Sequence, residues 1–247
     1  NIDDPSAHFQ TDLYAGNGST QSITNDGNSD LQPDLLWIKS RSDGSFHAWT
    51  DSTRGTSKRI YSNSTSGEES HVDRVTAFNS DGFSLGSSSL VNTNNYNYVA
   101  WQWKANGGTT ASNTDGAITT TVQANQDAGF SIITYTGNGA AGVPQMGHGL
   151  GVLPDMMIVK NRDDAENWEV FHKDLNLASP EDYRISLNLS DAAGFFSNLW
   201  GKVERTSTTI GVKAAAGINL ANTEFVAYCF AGKQGYSKFG SYVGNGN

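Results

Sequence analysis

Reactive groups are sparse in this chain, and each has a competing structural use. Gly82-Phe83-Ser84-Leu85-Gly86 carries the G-x-S-x-G spacing that exposes a nucleophilic serine on a strand-to-helix elbow. Three further serines follow instead of a helix, and Phe83 and Leu85 alternate with small residues, so the segment reads as a strand. The five histidines, His8, His47, His71, His148 and His172, stand at no metal-ligand spacing from one another. His148 sits in Gly147-His148-Gly149-Leu150-Gly151, where a ligand can approach the backbone closely and where a surface turn is the simpler reading. Asp163-Asp164, Glu68-Glu69 and Glu181-Asp182 offer carboxylates for glycoside hydrolysis or calcium. Hydrolysis, however, needs two carboxyls facing each other across a cleft, which neighbours on one loop do not supply. The expectation is therefore a protein without catalytic residues and without a cofactor, structural calcium being left open.

Stacking on a sugar face is a second kind of chemistry, and it needs a ring in a polar setting. Trp200 and Tyr96, the latter inside Asn92-Thr93-Asn94-Asn95-Tyr96-Asn97, meet that description. Trp200, Tyr96, Asn94, Asn95 and His148 are accordingly the expected ligand-binding candidates.

The elements that must position these residues come in copies. Tyr14-Ala15-Gly16-Asn17-Gly18 recurs as Tyr135-Thr136-Gly137-Asn138-Gly139 and again as Tyr242-Val243-Gly244-Asn245-Gly246. Pro33-Asp34-Leu35-Leu36-Trp37-Ile38-Lys39 is matched 121 positions on by Pro154-Asp155-Met156-Met157-Ile158-Val159-Lys160. Phe46-His47-Ala48-Trp49 is echoed by Trp168-Glu169-Val170-Phe171, and Arg59-Ile60 with Asn63 by Arg184-Ile185 with Asn188. Tyr98 to Trp103 is echoed by Phe225 to Phe230, an offset of 127, the drift that loop insertions between strands produce. Trp37, Trp101 and Trp103 have apolar echoes in Ile158, Tyr228 and Phe230 and are assigned to the core.

Within each copy apolar residues alternate with period two, and Asn17-Gly18, Asn138-Gly139 and Asp81-Gly82 suit tight turns between antiparallel strands. Gly, Asn, Ser and Thr make up about two fifths of the 247 residues, a composition poor for helices; only Ser190 to Trp200 hints at a helical turn. The expected architecture is all-β, two tandem antiparallel β-sandwich units of jelly-roll or lectin-like form. They span residues 1–105 and 130–238, joined by a linker with one strand at 106–129, and 239–247 begin a truncated third unit.

The net charge is −9, acidic residues exceed basic ones in both halves, and Lys58-Arg59 is the longest basic cluster. No nucleic acid is expected, because phosphate binding needs a basic patch. A single cysteine, Cys229, precludes an intrachain disulfide, and no run approaches the ~18 apolar residues of a membrane span, so no membrane insertion is expected.

Phe130 to Gly139, Gly147 to Gly151, Asn167-Trp168-Glu169-Val170-Phe171-His172-Lys173 and Gly235-Tyr236-Ser237-Lys238-Phe239-Gly240 together form a recognisable module. It resembles the tandem domains of unknown function in tail fibres and other tail-associated structural proteins of bacteriophages and prophages, with a concanavalin-like likeness at fold level. The first half, with Leu13 to Gln21 and Gln32 to Leu35, resembles the companion module that precedes it. The resemblance implies a virion tail location at the extracellular surface. It also implies partners among host cell-surface glycans or other virion proteins, with a homo-oligomer as an option. Expected functions are host recognition or spacing, a purely structural virion module, or a polysaccharide-degrading tailspike.

Overall fold

A computed structural model describes residues 2–245, so Gly246 and Asn247, at the end of the expected third-unit start, lie outside the described residues. The chain is all-β with antiparallel pairing between its strands. The first half contributes β1 (Phe9–Ala15), β2 (Gln21–Ile23), β3 (Leu35–Ser40), β4 (Ala48–Asp51), β5 (Lys58–Tyr61) and β6 (Glu69–Ser70). It continues with β7 (Val75–Phe78), β8 (Phe83–Leu85), one helical turn α1 (Ser89–Asn92) and β9 (Asn97–Trp103). Its large sheet runs β1-β9-β3-β4-β5-β6, and β2-β8-β7 form a small cover sheet.

The second half repeats this order. Its strands are β10 (Ala111–Asn113), β11 (Thr120–Asn125), β12 (Phe130–Thr136), β13 (Gln145–Gly147), β14 (Met156–Asn161) and β15 (Glu169–His172), then β16 (Tyr183–Ser186), β17 (Gly194–Phe195), β18 (Thr209–Gly211) and β19 (Glu224–Phe230). The large sheet runs β10-β11-β12-β19-β14-β15-β16-β17, with β13-β18 as the cover. The expected linker at 106–129 therefore holds two strands, both built into that sheet. Ser190 to Trp200 contains β17 and no helix, because Phe195 pairs with Tyr183 across the sheet.

Alternation explains the layering. On β9, Tyr98, Ala100 and Gln102 are buried toward the cover sheet, and on β19 Phe225, Ala227 and Cys229 do the same. The opposite faces of the large sheets meet each other. Leu35, Trp49 and Ile60 from the first half form one core with Phe130, Ile132, Trp168, Val226 and Tyr228 from the second. Both central strands are thus covered on two sides, which accounts for their nearly continuous apolar sequence. Trp37 and Trp103 pack against this shared layer while remaining half-exposed.

The duplication extends to individual contacts. Tyr14 stacks on Tyr98 at 5.1 Å and 13°, and Tyr135 stacks on Phe225 at the same distance and angle. Their hydroxyls donate to Val91 O at 2.7 Å and to Ile218 O at 2.6 Å. Asn92 and Asn219, both fully buried, accept from the backbone N–H of Asn17 and Asn138 at 2.9 Å. The third copy does not share this setting, since Tyr242 and Val243 are 94% and 96% exposed. Strand pairing also corrects one echo by a residue. Trp49 faces Trp37 as Val170 faces Ile158, so Trp49 corresponds to Val170 and His47 to Trp168.

Gly16 and Gly137 each carry the tightest contact of this motif. A Cβ on either would lie 2.2 Å from a backbone oxygen, that of Thr93 or of Leu220. Gly16→Ala and Gly137→Ala are each expected to cost about 1–3 kcal/mol through overpacking. Urea midpoints of the two variants check this, and near-equal losses are the outcome that the paired geometry requires.

A buried ion network joins the halves. Arg54 Nε donates to Asp51 Oδ2 at 2.6 Å and Arg54 Nη1 to Glu68 Oε2 at 2.9 Å. Arg162, from the second half, donates through Nε to the same Glu68 oxygen at 2.9 Å. Tyr228 closes the ring, its hydroxyl donating to Asp51 Oδ2 at 2.7 Å. Burial alone would raise the Glu68 carboxyl, but the hydrogen bond from Arg162 and the charge of Arg54 outweigh it and hold the group below its ordinary value.

Candidate functional site

A broad hollow lies where the chain leaves β19. Asp155, just before β14, donates its N–H to Phe230 O at 2.8 Å and receives Gly232 N–H on Oδ2 at 2.7 Å. The chain then makes a turn closed by Tyr236 N–H on Lys233 O at 3.0 Å, with Gly235 at φ 81° in the left-handed region that glycine tolerates. Beneath this strap is an open hollow of about 600 Å³ lined by Lys173, Lys233, Gln234, Tyr236, Lys238 and Phe239. Asp155 is the one carboxylate among its described lining residues.

Behind the strap, between the two large sheets, is a smaller cavity of about 210 Å³ lined mainly by Trp37, Trp49, Trp103, Phe130, Met156 and Phe230. Tyr236, Ser237 and Phe239 line both spaces. Phe239 rests on Phe230 at 6.2 Å and near His172 at 6.4 Å, while Tyr236 meets His8 edge-on at 5.9 Å. Burial pushes the Tyr236 phenol up to about 12, so it stays a neutral hydrogen-bonding group. The indole N–H groups of Trp37 and Trp49 are buried without a hydrogen-bond partner among the described residues.

The first half fills the corresponding place. Asp34 receives Ala105 N–H and Gly107 N–H on Oδ2 at 2.7 and 2.8 Å, and Gly108 N–H on Oδ1 at 2.7 Å. The Gln123 side chain of β11 plugs the site, donating to Ser52 Oγ at 2.9 Å and Thr53 Oγ1 at 2.8 Å and accepting from Gly108 N–H at 3.0 Å. Ser52 and Lys173 are equivalent, because their N–H groups donate to Asp34 O and Asp155 O. The turn at Asn106 to Thr109 matches that at Lys233 to Tyr236 in the same way. One duplicated element thus became a plugged joint in one half and an open hollow in the other.

None of the five residues expected from the sequence lines the hollow. Trp200 is only 1% exposed, packed edge-on against Phe171 at 6.0 Å in the core under the β13-β18 cover. Its polar sequence neighbours mark short loops around a plugging ring, which corrects its assignment as an exposed stacking residue. His148 is fully buried rather than in a surface turn. Its Nδ1 accepts from Leu150 N–H at 3.2 Å and its Nε2 faces Thr206 O at 3.3 Å, and burial holds it below the usual histidine value, hence neutral. Tyr96 is half-buried against the first-half core. Asn94 and Asn95 are exposed, Asn95 at φ 63°, in the turn whose N–H from Asn95 docks on Gly16 O at 2.9 Å.

The other chemical candidates have structural partners. Ser84 lies on β8 and shares a hydrogen bond with Ser22 at 2.9 Å. Glu181 pairs with Arg205 at 3.0 Å, and Asp163 accepts Glu224 N–H at 2.8 Å. Among the described residues no three His, Cys, Asp or Glu side chains converge to hold a metal ion. Among the described residues no helix is long and apolar enough to cross a membrane.

The hollow escaped sequence reading because Lys173 and Lys233 are sixty positions apart. The one available signal was Lys233 and Lys238 flanking Gly-Tyr-Ser in a turn. Nothing matches among curated proteins, and nothing among solved structures. A family model described as a domain of unknown function, DUF7483, matches residues 4–247, spanning both halves, both large sheets and the strap, and the chain belongs to that family.

Proposed function

We propose that the chain is a host-recognition module of a bacteriophage or prophage tail fibre or tail-associated protein, displayed at the virion surface and directed at cell-surface glycans. Each half is a lectin-like sandwich unit, one large sheet with its own cover. The observation that carries this reading is the hollow beside Asp155, where the Tyr236 and Phe239 rings sit among ammonium and amide donors on a strap anchored to rigid strands. Aromatic faces with a few polar donors suit a sugar ring. Binding rather than cleavage is the role proposed, since among the described residues no second carboxyl lines the hollow with Asp155.

Glycan-array retention of the folded chain, together with adsorption of virions lacking it, tests the proposal. Retention of a defined set of glycans and reduced adsorption are expected. No retention on any glycan with adsorption unchanged overturns it. A second reading, a ligand-free spacer that contacts neighbouring virion proteins or a second copy, is favoured by the exposed Tyr242 and Val243. Light scattering showing a stable multimer supports that alternative.

A further inference from the structure

The two halves answer the same structural question differently, and the difference identifies a ligand class. In the first half the place beside Asp34 holds a primary amide: Gln123 takes Gly108 N–H on its carbonyl and gives its NH2 to the hydroxyls of Ser52 and Thr53. In the second half Lys173 stands where Ser52 stood, Lys233 where Asn106 stood, and among the described residues no side chain plugs the space as Gln123 does. A hydroxyl that accepted a hydrogen bond has become an ammonium that only donates. An amide NH2 placed there has lost its acceptor, whereas a group with two accepting oxygens is matched.

The charges agree. Lys173 is shared with Asp174, 3.4 Å away, but Lys233 and Lys238 have no side-chain partner among the described residues. Three of the sixteen basic residues of an acidic chain therefore border one hollow, against Asp155 as the one carboxylate among its described lining residues. Asp155 is already engaged by Gly232 N–H. Lys233 also borders an adjoining hollow lined by Asp3, Asp4 and Asp127, which repels an anion from that side.

We propose that the hollow selects a carboxylated sugar, a uronate residue whose carboxylate lies among Lys173, Lys233 and Lys238 while its ring face covers Tyr236 or Phe239. This rests on the glycan-recognition reading and narrows it. Charge-assisted hydrogen bonds are worth enough that losing one lysine should weaken binding about ten-fold.

The test is calorimetric titration of the full chain with galacturonate, glucuronate and mannuronate oligosaccharides and with their carboxyl-reduced counterparts. At least one acidic oligosaccharide is expected to bind, about ten-fold or more tighter than its reduced form and more weakly at high salt. Lys233→Gln and Lys238→Gln should each lower that affinity about ten-fold while leaving the thermal melting curve unchanged. Equal binding of the reduced forms overturns carboxylate selection and leaves glycan recognition standing. Acidic binding indifferent to both lysine variants overturns the assignment to this hollow. Binding of no oligosaccharide of either kind overturns the proposal, and if the glycan array is blank as well the recognition reading falls with it.

Discussion

Arg54→Met is expected to lower the stability of the protein by about 3–5 kcal/mol, the usual loss when one member of a buried ion pair is removed. Its guanidinium is fully buried and contacts Asp51, Glu68 and Tyr228. Burial opposes its charge, yet the neighbouring Asp51 carboxylate prevails and raises its pKa. Methionine fills similar volume but leaves the buried Asp51 carboxylate without its cation, and that uncompensated charge dominates the loss. Because Asp51 and Glu68 belong to the first half and Tyr228 and Arg162 to the second, the loss should appear as one cooperative transition. Urea unfolding followed by circular dichroism and by tryptophan fluorescence should give coincident curves shifted to lower midpoint. A loss below about 1 kcal/mol contradicts the role given to the network. The pH dependence has a definite sign. Glu68 has a folded-state pKa below its ordinary value, so its contribution is fully present above that ordinary value and is lost as pH falls through the folded one. Glu68→Gln should accordingly flatten the acid limb of the stability curve.

Trp168→Ala is expected to cost about 3–5 kcal/mol. The ring is fully buried in the shared layer, edge-on to Trp49 at 5.1 Å. Its Nε1 donates across the halves to Tyr61 O at 2.8 Å and Ser64 O at 3.1 Å. Alanine opens a cavity and leaves two carbonyls with one donor fewer. Phenylalanine separates the contributions, since it keeps most of the packing and should lose about 1–2 kcal/mol for the hydrogen bonds. The measurement is again the urea midpoint. Near-equal losses for alanine and phenylalanine would show that packing in the shared layer is not what holds the sheets together.

Strands, turns and duplication were legible because they depend on local rules. Period-two alternation at Tyr98 to Trp103 placed the residues of β9 on the correct faces, and the Asn17-Gly18 and Asn138-Gly139 pairs do end in left-handed glycines, at φ 70° and 57°. What lay on the far side of each face was not legible. Alternation says that Leu35 and Trp37 share a side, but not that this side meets another sheet instead of solvent. Trp200 was misread for a related reason. Its setting in the sequence is polar because short loops flank it, while its setting in space is Phe171 and the cover strands. The one-residue slip at Trp49 arose from matching aromatic to aromatic, whereas cross-strand register matches Trp49 with the smaller Val170, its neighbour Trp168 supplying bulk from the other side of the layer. The hollow depends on Lys173 and Lys233 meeting through the pairing of β14 with β15 and β19, a non-local event without a sequence period.

The edge contact between His8 and Tyr236 has a mechanical consequence. Ile2, Asp3, Asp4, Ala7 and His8 line one hollow with Lys233 and Gln234, so the first described residues lie against the strap that follows β19. A pull that separates these two segments is borne by that ring contact, by the seven-residue ladder of β1 on β9 and by the packing of Phe239 on Phe230. Covalently bridging the two segments to open the chain elsewhere should therefore leave its fold intact.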